Sequence, residues 1–266
     1  MSVVADQIRR LKEELPADVT LVAVSKFHPV ESVVEAYGAG QRVFGESRPQ
    51  ELFAKVHALQ SRDSAYSDIE WHFIGHLQTN KLKLVLTYVS MVESVDSVHL
   101  LESIDRWGRD NGRVTDVLLE YHIASEATKQ GFSRQEILSL LTRREDVPEG
   151  YAEVYGTPGC TSRQGDVPQR HAQDASCDGR RFPNVRIRGL MGMATFTSDE
   201  SVVRADFGRL MSLYNEIVAL RDRGLCPEIG SGFDIRSFGM THDYRIAVEM
   251  GADMVRIGTL IFGERV

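Results

Sequence analysis

The sequence predicts a single (β/α)8 barrel of the TIM type across residues 1–266, with an extra helix before the first strand and one long exposed insertion. Three observations carry this. Short apolar runs rich in β-branched residues recur eight times along the chain. Helical periodicity fills nearly every interval between them, which implies parallel strands joined by right-handed crossovers. The length of 266 residues suits eight such units closed into one domain. A doubly wound open sheet is the alternative, with its strand order broken at a switch point.

The elements follow in order. Ile8, Leu11 and Leu15 share one face of the opening helix. Leu21 to Val24 is a run of successive apolar residues, the signature of a strand buried on both faces, and Lys26 stands at its carboxyl end just before His28-Pro29. Val30, Val33, Val34 and Tyr37 mark the next helix, which Gly38 and Gly40 stop. A short strand over 42–44 precedes a helix carrying Leu52, Val56 and Leu59, opened by Pro49. Residues 71–75 form the third strand, followed by Leu82, Val85 and Leu86 on a helix. Residues 89–95 form the fourth, with Leu100, Leu101, Ile104 and Trp107 after it. Residues 115–123 form the fifth, with Ile137, Leu140 and Leu141 on its helix. Residues 185–193 form the sixth, before a long helix through Val203, Phe207, Leu210, Tyr214 and Ile217. Residues 233–238 and 254–258 form the last two, separated by a helix bearing Ile246, Ala247 and Met250.

Residues 145–183 break the alternation. They are rich in Gly, Pro, Ser, Asp, Gln and Arg and lack periodic hydrophobicity, so they read as an exposed insertion between the fifth helix and sixth strand. Cys160 and Cys177 within them lack the second half of a zinc signature, and no metal is expected. With Cys226 they make three cysteines, an odd count without framework spacing, which fits reduced thiols in the cytoplasm. The amino terminus has neither the basic start nor the apolar stretch of a secretory signal. No segment approaches the length of a membrane span. A formal net charge of −7 argues against general nucleic-acid or anionic-membrane binding.

A barrel gathers the carboxyl ends of its strands at one mouth, where such folds place their chemistry. Apolar walls and neighbouring cations lower a lysine's pKa from about 10.4 and make it a nucleophile toward an aldehyde. Lys26 is placed for that role. Ser237 and Thr241, either side of Gly239, follow the seventh strand, and Arg256, Gly258 and Thr259 end the eighth. Hydroxyls, exposed amides and small residues after strands seven and eight suit a phosphate. Ser237 and Thr241 also read as turn and capping residues, and Arg256 as half of a structural ion pair, because an arginine in an apolar strand needs a partner. An aldehyde that carries a phosphate satisfies both ends of the mouth.

Five segments carry a family resemblance: Leu21–Lys26 (LVAVSK), Ala39–Glu46 (AGQRVFGE), Trp71–Lys81 (WHFIGHLQTNK), Arg188–Ala194 (RGLMGMA) and Val255–Gly263 (VRIGTLIFG). The chain resembles the YggS/PROSC-type pyridoxal phosphate homeostasis proteins, relatives of the alanine racemase barrel, over its whole length except the insertion. The resemblance implies pyridoxal 5′-phosphate as cofactor, held as a Schiff base on Lys26. It implies Ser237, Gly258, Thr259 and Thr241 at the phosphate, and Arg256 facing the pyridine nitrogen. It also implies cofactor homeostasis, with cofactor-requiring apoenzymes as recipients; a cytoplasmic location follows from the cysteines and the missing signal, and a monomer or weak dimer is the expected form. Ser47 replaces the usual Asn, Phe238 and Thr241 replace the commoner Met and Ser, and the 122–125 stretch departs from the usual Asn-Ile-Ser. His72 and Asn80 read as supporting residues near the mouth, without a catalytic role. The alternative is a cofactor-dependent amino-acid racemase. Its second base comes, by the same resemblance, from a carboxyl-terminal β-domain, for which the sequence offers no segment after the eighth strand. Holding the cofactor is therefore the expected role.

Overall fold

The computed structural model describes residues 2–124, 130–142 and 180–264. Eight parallel strands close in chain order into a barrel: β1 Thr20–Val24, β2 Val43–Glu46, β3 Glu70–Phe73, β4 Met91–Val95, β5 Thr115–Tyr121, β6 Val185–Gly192, β7 Ile235–Met240 and β8 Met254–Ile257. Around them lie α1 Val3–Glu14, α2 Val30–Gly38, α3 Pro49–Arg62, α4 Leu82–Leu86, α5 Val98–Asn111, α6 Arg134–Leu141, α7 Glu200–Asp222, α8 Tyr244–Glu249 and α9 Thr259–Phe262. The ring closes where Thr20 to Ala23 pair with Met254 to Ile257. No helix among the described residues is long and apolar enough to cross a membrane.

Local chemistry explains the element boundaries. Pro49 opens α3 at its first turn, where a missing N–H costs nothing. Ser97 caps α5 by accepting from Leu100 N, and Gly112 ends it in the left-handed region. Ser133 and Glu136 form a reciprocal capping box on α6. The fourth strand starts at Met91, later than its apolar run suggests. The seventh runs from Ile235 to Met240, not from Phe233 to Phe238. Phe233 is a buried turn residue whose ring stacks on Tyr214 at 5.4 Å, so its apolarity reports burial and not extended backbone. Most of the 145–183 stretch, including Cys160 and Cys177, lies outside the described residues. Its last residues are docked and not exposed throughout. Phe182 is buried, and the Arg181 amide donates to Glu228.

The pleat sorts the barrel residues into two sets. Outward residues such as Leu21, Ala23, Trp71, Phe73, Val117, Leu119, Phe238, Val255 and Ile257 join the helices in one continuous core. Inside the barrel, Met91, Leu118 and Met191 form a separate small cluster, with Met193 and Ile235 against it. These floor the barrel one pleat below Glu93, Glu120 and Ser237 on the same strands. The floor is apolar, and the layer above it is polar.

β7 changes register against β8 between Ser237 and Met240, and Gly239 sits within that irregularity at φ +98°. A β-carbon there would stand 2.5 Å from Ala247 Cβ on α8. Gly239→Ala is expected to lower unfolding free energy by about 2–4 kcal/mol, from strained backbone and overpacking together. Urea denaturation checks this, and an unchanged midpoint would contradict the close approach of α8 to β7.

Candidate functional site at the barrel mouth

The alternation that sends Leu21 and Ala23 outward sends Val22 and Val24 into the barrel. The ladder continues one residue beyond β1, where Ser25 N donates to Gly45 O. Ser25 then points outward, its hydroxyl donating to Glu46 Oε1 at 2.6 Å. By the same alternation the next position, Lys26, falls on the inward side, and the residue is half-buried. The chain turns immediately after it. Phe27 adopts φ +67°, and His28 N donates back to Ser25 O.

Below the mouth lies a buried polar layer. Glu93 on β4 is fully enclosed, with Oε1 2.7 Å from His72 Nδ1 on β3 and Oε2 accepting from Ser237 Oγ on β7 at 2.7 Å. Arg256 on β8 donates to Ser237 Oγ at 2.5 Å and to Gly192 O at 3.0 Å, and lies 3.6 Å from Glu93 Oε2. Burial alone would raise the Glu93 pKa. The hydrogen bond and charge of His72, the charge of Arg256 and the Ser237 hydroxyl outweigh it and hold the carboxyl below the usual range. A buried ion pair seldom improves on apolar packing, so this layer is better explained by what it orients. It orients the Arg256 guanidinium.

The end of β8 meets the end of β1, with the end of β7 on its other side. Thr241, half-buried after β7, lines a cavity of about 390 Å³ with His242, Tyr244 and Leu260. Gly258 passes so close to β1 that a β-carbon would stand 3.2 Å from Val24 O and 3.3 Å from Val24 Cβ. Thr259 follows, exposed, as the first residue of α9. The turn after Lys26 packs on the same helix, with the His28 and Phe262 rings 5.3 Å apart. Lys26 and the Gly258-Thr259 turn are thus neighbours. Ser237 lies deeper, its hydroxyl already engaged by Glu93 and Arg256.

The far side of the mouth is acidic and histidine-bearing. Glu120 near the end of β5 is buried, and burial, followed by the charge of Asp96, raises its pKa against the opposing charge of Arg256. His76 Nδ1 lies 3.0 Å from Asp96 Oδ2. Among the described residues no group of His, Cys, Asp and Glu could hold a metal. Asn80 is exposed in a short 3-10 turn, Thr79–Lys81, whereas His72 is buried inside the barrel. Ser47 is wedged against Gly75, where a β-carbon would stand 2.3 Å from Ser47 O. His122 is half-buried past the end of β5, and Ser125 lies outside the described residues.

Sequence reading missed Glu93, and its signal was plain: a carboxylate inside an otherwise apolar run must have a partner. It also missed Glu46, Glu51 and Lys55. No spacing rule could join Lys55 to Ser25, because the contact crosses from helix to strand end.

Comparison with known proteins places the chain in a family. The family described as the N-terminal domain of alanine racemase matches residues 1–157. A pyridoxal phosphate homeostasis protein of Aquifex aeolicus (strain VF5) is 33% identical over 92% of this chain and 86% of its own length. One from Mus musculus is 33% identical over 98% of this chain and 83% of its own. PipY of Synechococcus elongatus PCC7942, solved with pyridoxal phosphate bound, superposes with a TM-score of 0.74 at 28% identity, covering 98% of this chain and 100% of that one. An alanine racemase of Clostridium difficile 630, at 12% identity, TM-score 0.62 and 56% of its length, shares the fold alone.

The ionisation of Glu93 makes a pH prediction. A carboxyl whose folded pKa is lowered contributes stability above its unfolded value and loses it as pH falls through the folded one. Glu93→Leu leaves Arg256 buried without its counter-charge. Near neutral pH the variant is expected to lose about 3–5 kcal/mol, a deficit that shrinks in acid. Urea unfolding across that range checks it, and a pH-independent deficit would count against the pair.

Proposed function

This chain belongs to the pyridoxal phosphate homeostasis protein family, and we propose that it binds pyridoxal 5′-phosphate covalently through Lys26 Nζ, as a store and donor of the cofactor. The observation that carries this reading is the meeting of two strand ends: Lys26 just beyond β1, and the Gly258-Thr259 turn pressed against that same strand. When bound, the cofactor would supply a reactive aldehyde and a doubly charged phosphate on one ring.

The residues divide the work. Lys26 Nζ holds the aldehyde, and apolar Val22 and Val24 beneath it limit water. Thr241 and Thr259 offer hydroxyls to the phosphate. Gly258, without a side chain, would let backbone approach it, and a β-carbon there would already crowd Val24. Arg256 faces the pyridine nitrogen, and Ser237 contributes by fixing the guanidinium together with Glu93. A guanidinium has no proton to give at ordinary pH, so the ring nitrogen stays unprotonated and the ring is a weak electron sink. That favours holding over substrate chemistry. The same reading places the protein in the cytoplasm as a monomer or weak dimer, passing cofactor to apoenzymes that need it.

Borohydride treatment of cofactor-supplemented protein is expected to fix the cofactor mass on the peptide bearing Lys26. Lys26→Ala should lose that adduct and retain weaker, phosphate-anchored binding. An adduct on another lysine, or none, would falsify the assignment. Incubation with single-enantiomer amino acids in deuterated water should leave the α-proton in place at catalytic timescales. Rapid exchange would instead favour the racemase reading.

A further inference from the structure

Behind Lys26, on the outer side of the barrel wall, lies a second buried lysine. Lys55, on α3, is 5% exposed. Its Nζ donates to Ser25 O at 2.7 Å, Glu46 Oε1 at 2.6 Å and Glu51 Oε1 at 2.9 Å. An ammonium has three protons, and these three acceptors use them all. Glu51 Oε1 also accepts from Phe27 N at 2.6 Å, and Glu46 Oε1 from Ser25 Oγ.

The two backbone bonds bracket one residue. Ser25 O belongs to the peptide unit before Lys26, and Phe27 N to the unit after it. Holding both planes holds the φ and ψ of Lys26, and so the direction in which its side chain leaves the wall. The turn needs such restraint. Phe27 at φ +67° sits where an aromatic residue pays a steric cost, so the conformation persists only when its surroundings impose it. Three charged groups taken from water are an expensive way to fill this space. Burial even pushes the Glu46 carboxyl upward against the pull of Lys55, and Glu46 Oε2 has no hydrogen-bond partner.

We infer that Glu51, Lys55 and Glu46 form a clamp of positioning residues that sets the geometry of the Lys26 turn and thereby the rate at which Lys26 captures its aldehyde. The inference rests on the proposed role of Lys26. It adds that Lys55 is tied to the wall and takes no cofactor itself. The clamp acts from the helix side of the strand, so it touches neither cofactor nor substrate.

Two measurements test it. In cofactor-free protein, hydrogen exchange at the Phe27 amide should accelerate strongly in Glu51→Leu and stay slow in Glu51→Gln, which keeps the acceptor. With added pyridoxal 5′-phosphate, borohydride quenching followed by intact mass should show capture slowed by about ten- to a hundredfold in Glu51→Leu and Lys55→Met, as expected for a misplaced reacting group. Lys55→Arg should recover part of the rate. In the Lys26→Ala background the same substitutions should leave non-covalent cofactor affinity unchanged, because no lysine remains to be placed. Wild-type capture rates in Glu51→Leu and Lys55→Met would overturn the clamp. So would an equal loss of affinity in both backgrounds, which would mean the network merely supports the fold. If wild-type protein takes up no cofactor at Lys26, the site reading fails, and the Phe27 exchange alone judges whether the clamp holds the turn.

Discussion

The pairing of β1 with β8 is the contact on which everything else here depends. Thr20 to Ala23 lie in parallel register with Met254 to Ile257, and this ladder turns a twisted sheet into a ring without edges. Closure gives the pleat its consequence. Once the sheet is a ring, every second residue faces either an enclosed interior or the helices, with no third choice. Val22, Val24 and then Lys26 fall inside, whereas Ser25 falls outside against Glu46. The first and last strands, more than two hundred residues apart in the chain, become neighbours. Lys26 and Gly258 lie near each other for that reason alone.

The interior is built in steps of polarity. Methionines and Leu118 fill the floor with adaptable apolar volume. Above them, His72, Glu93, Ser237 and Arg256 come from four strands and satisfy one another. A layer of this kind costs desolvation free energy that aliphatic packing would avoid. Its benefit is an arginine with one orientation, fixed by a hydroxyl, a carbonyl and a carboxylate. The outer wall repeats the device with Lys55, Glu46 and Glu51, again using buried charge to fix the direction of a cation. The first network includes the cation it orients, Arg256, whereas the second lies across the wall from Lys26.

Much of this was legible in the sequence. β-Branched runs and helical periods report burial on two faces or one stripe, which are local properties of the chain, and all eight strands followed from them. The errors were of one kind. Phe233 and Val89 are as apolar as strand residues, yet they fill core space from turns. Arg256 announced its need for a partner by standing in an apolar strand, and Glu93 carried the same announcement unread. Ser237 and Thr241, similar in sequence, separate in space. The irregularity at Gly239 leaves one hydroxyl in the interior and the other half-buried in the turn before α8.

By itself, then, the sequence determined the alternation of elements, the family and the lysine at the end of the first strand, because these rest on periodicity, residue type and contiguous motifs. Only the tertiary structure decided which groups surround that lysine. Glu51 reaches the amide after Lys26, Lys55 reaches the carbonyl before it, and Glu93 reaches across the barrel to Ser237 and Arg256. Such contacts join residues between 24 and more than a hundred positions apart. They are set by the register of closure and the seating of a helix on the wall, and neither is written in any local stretch of chain.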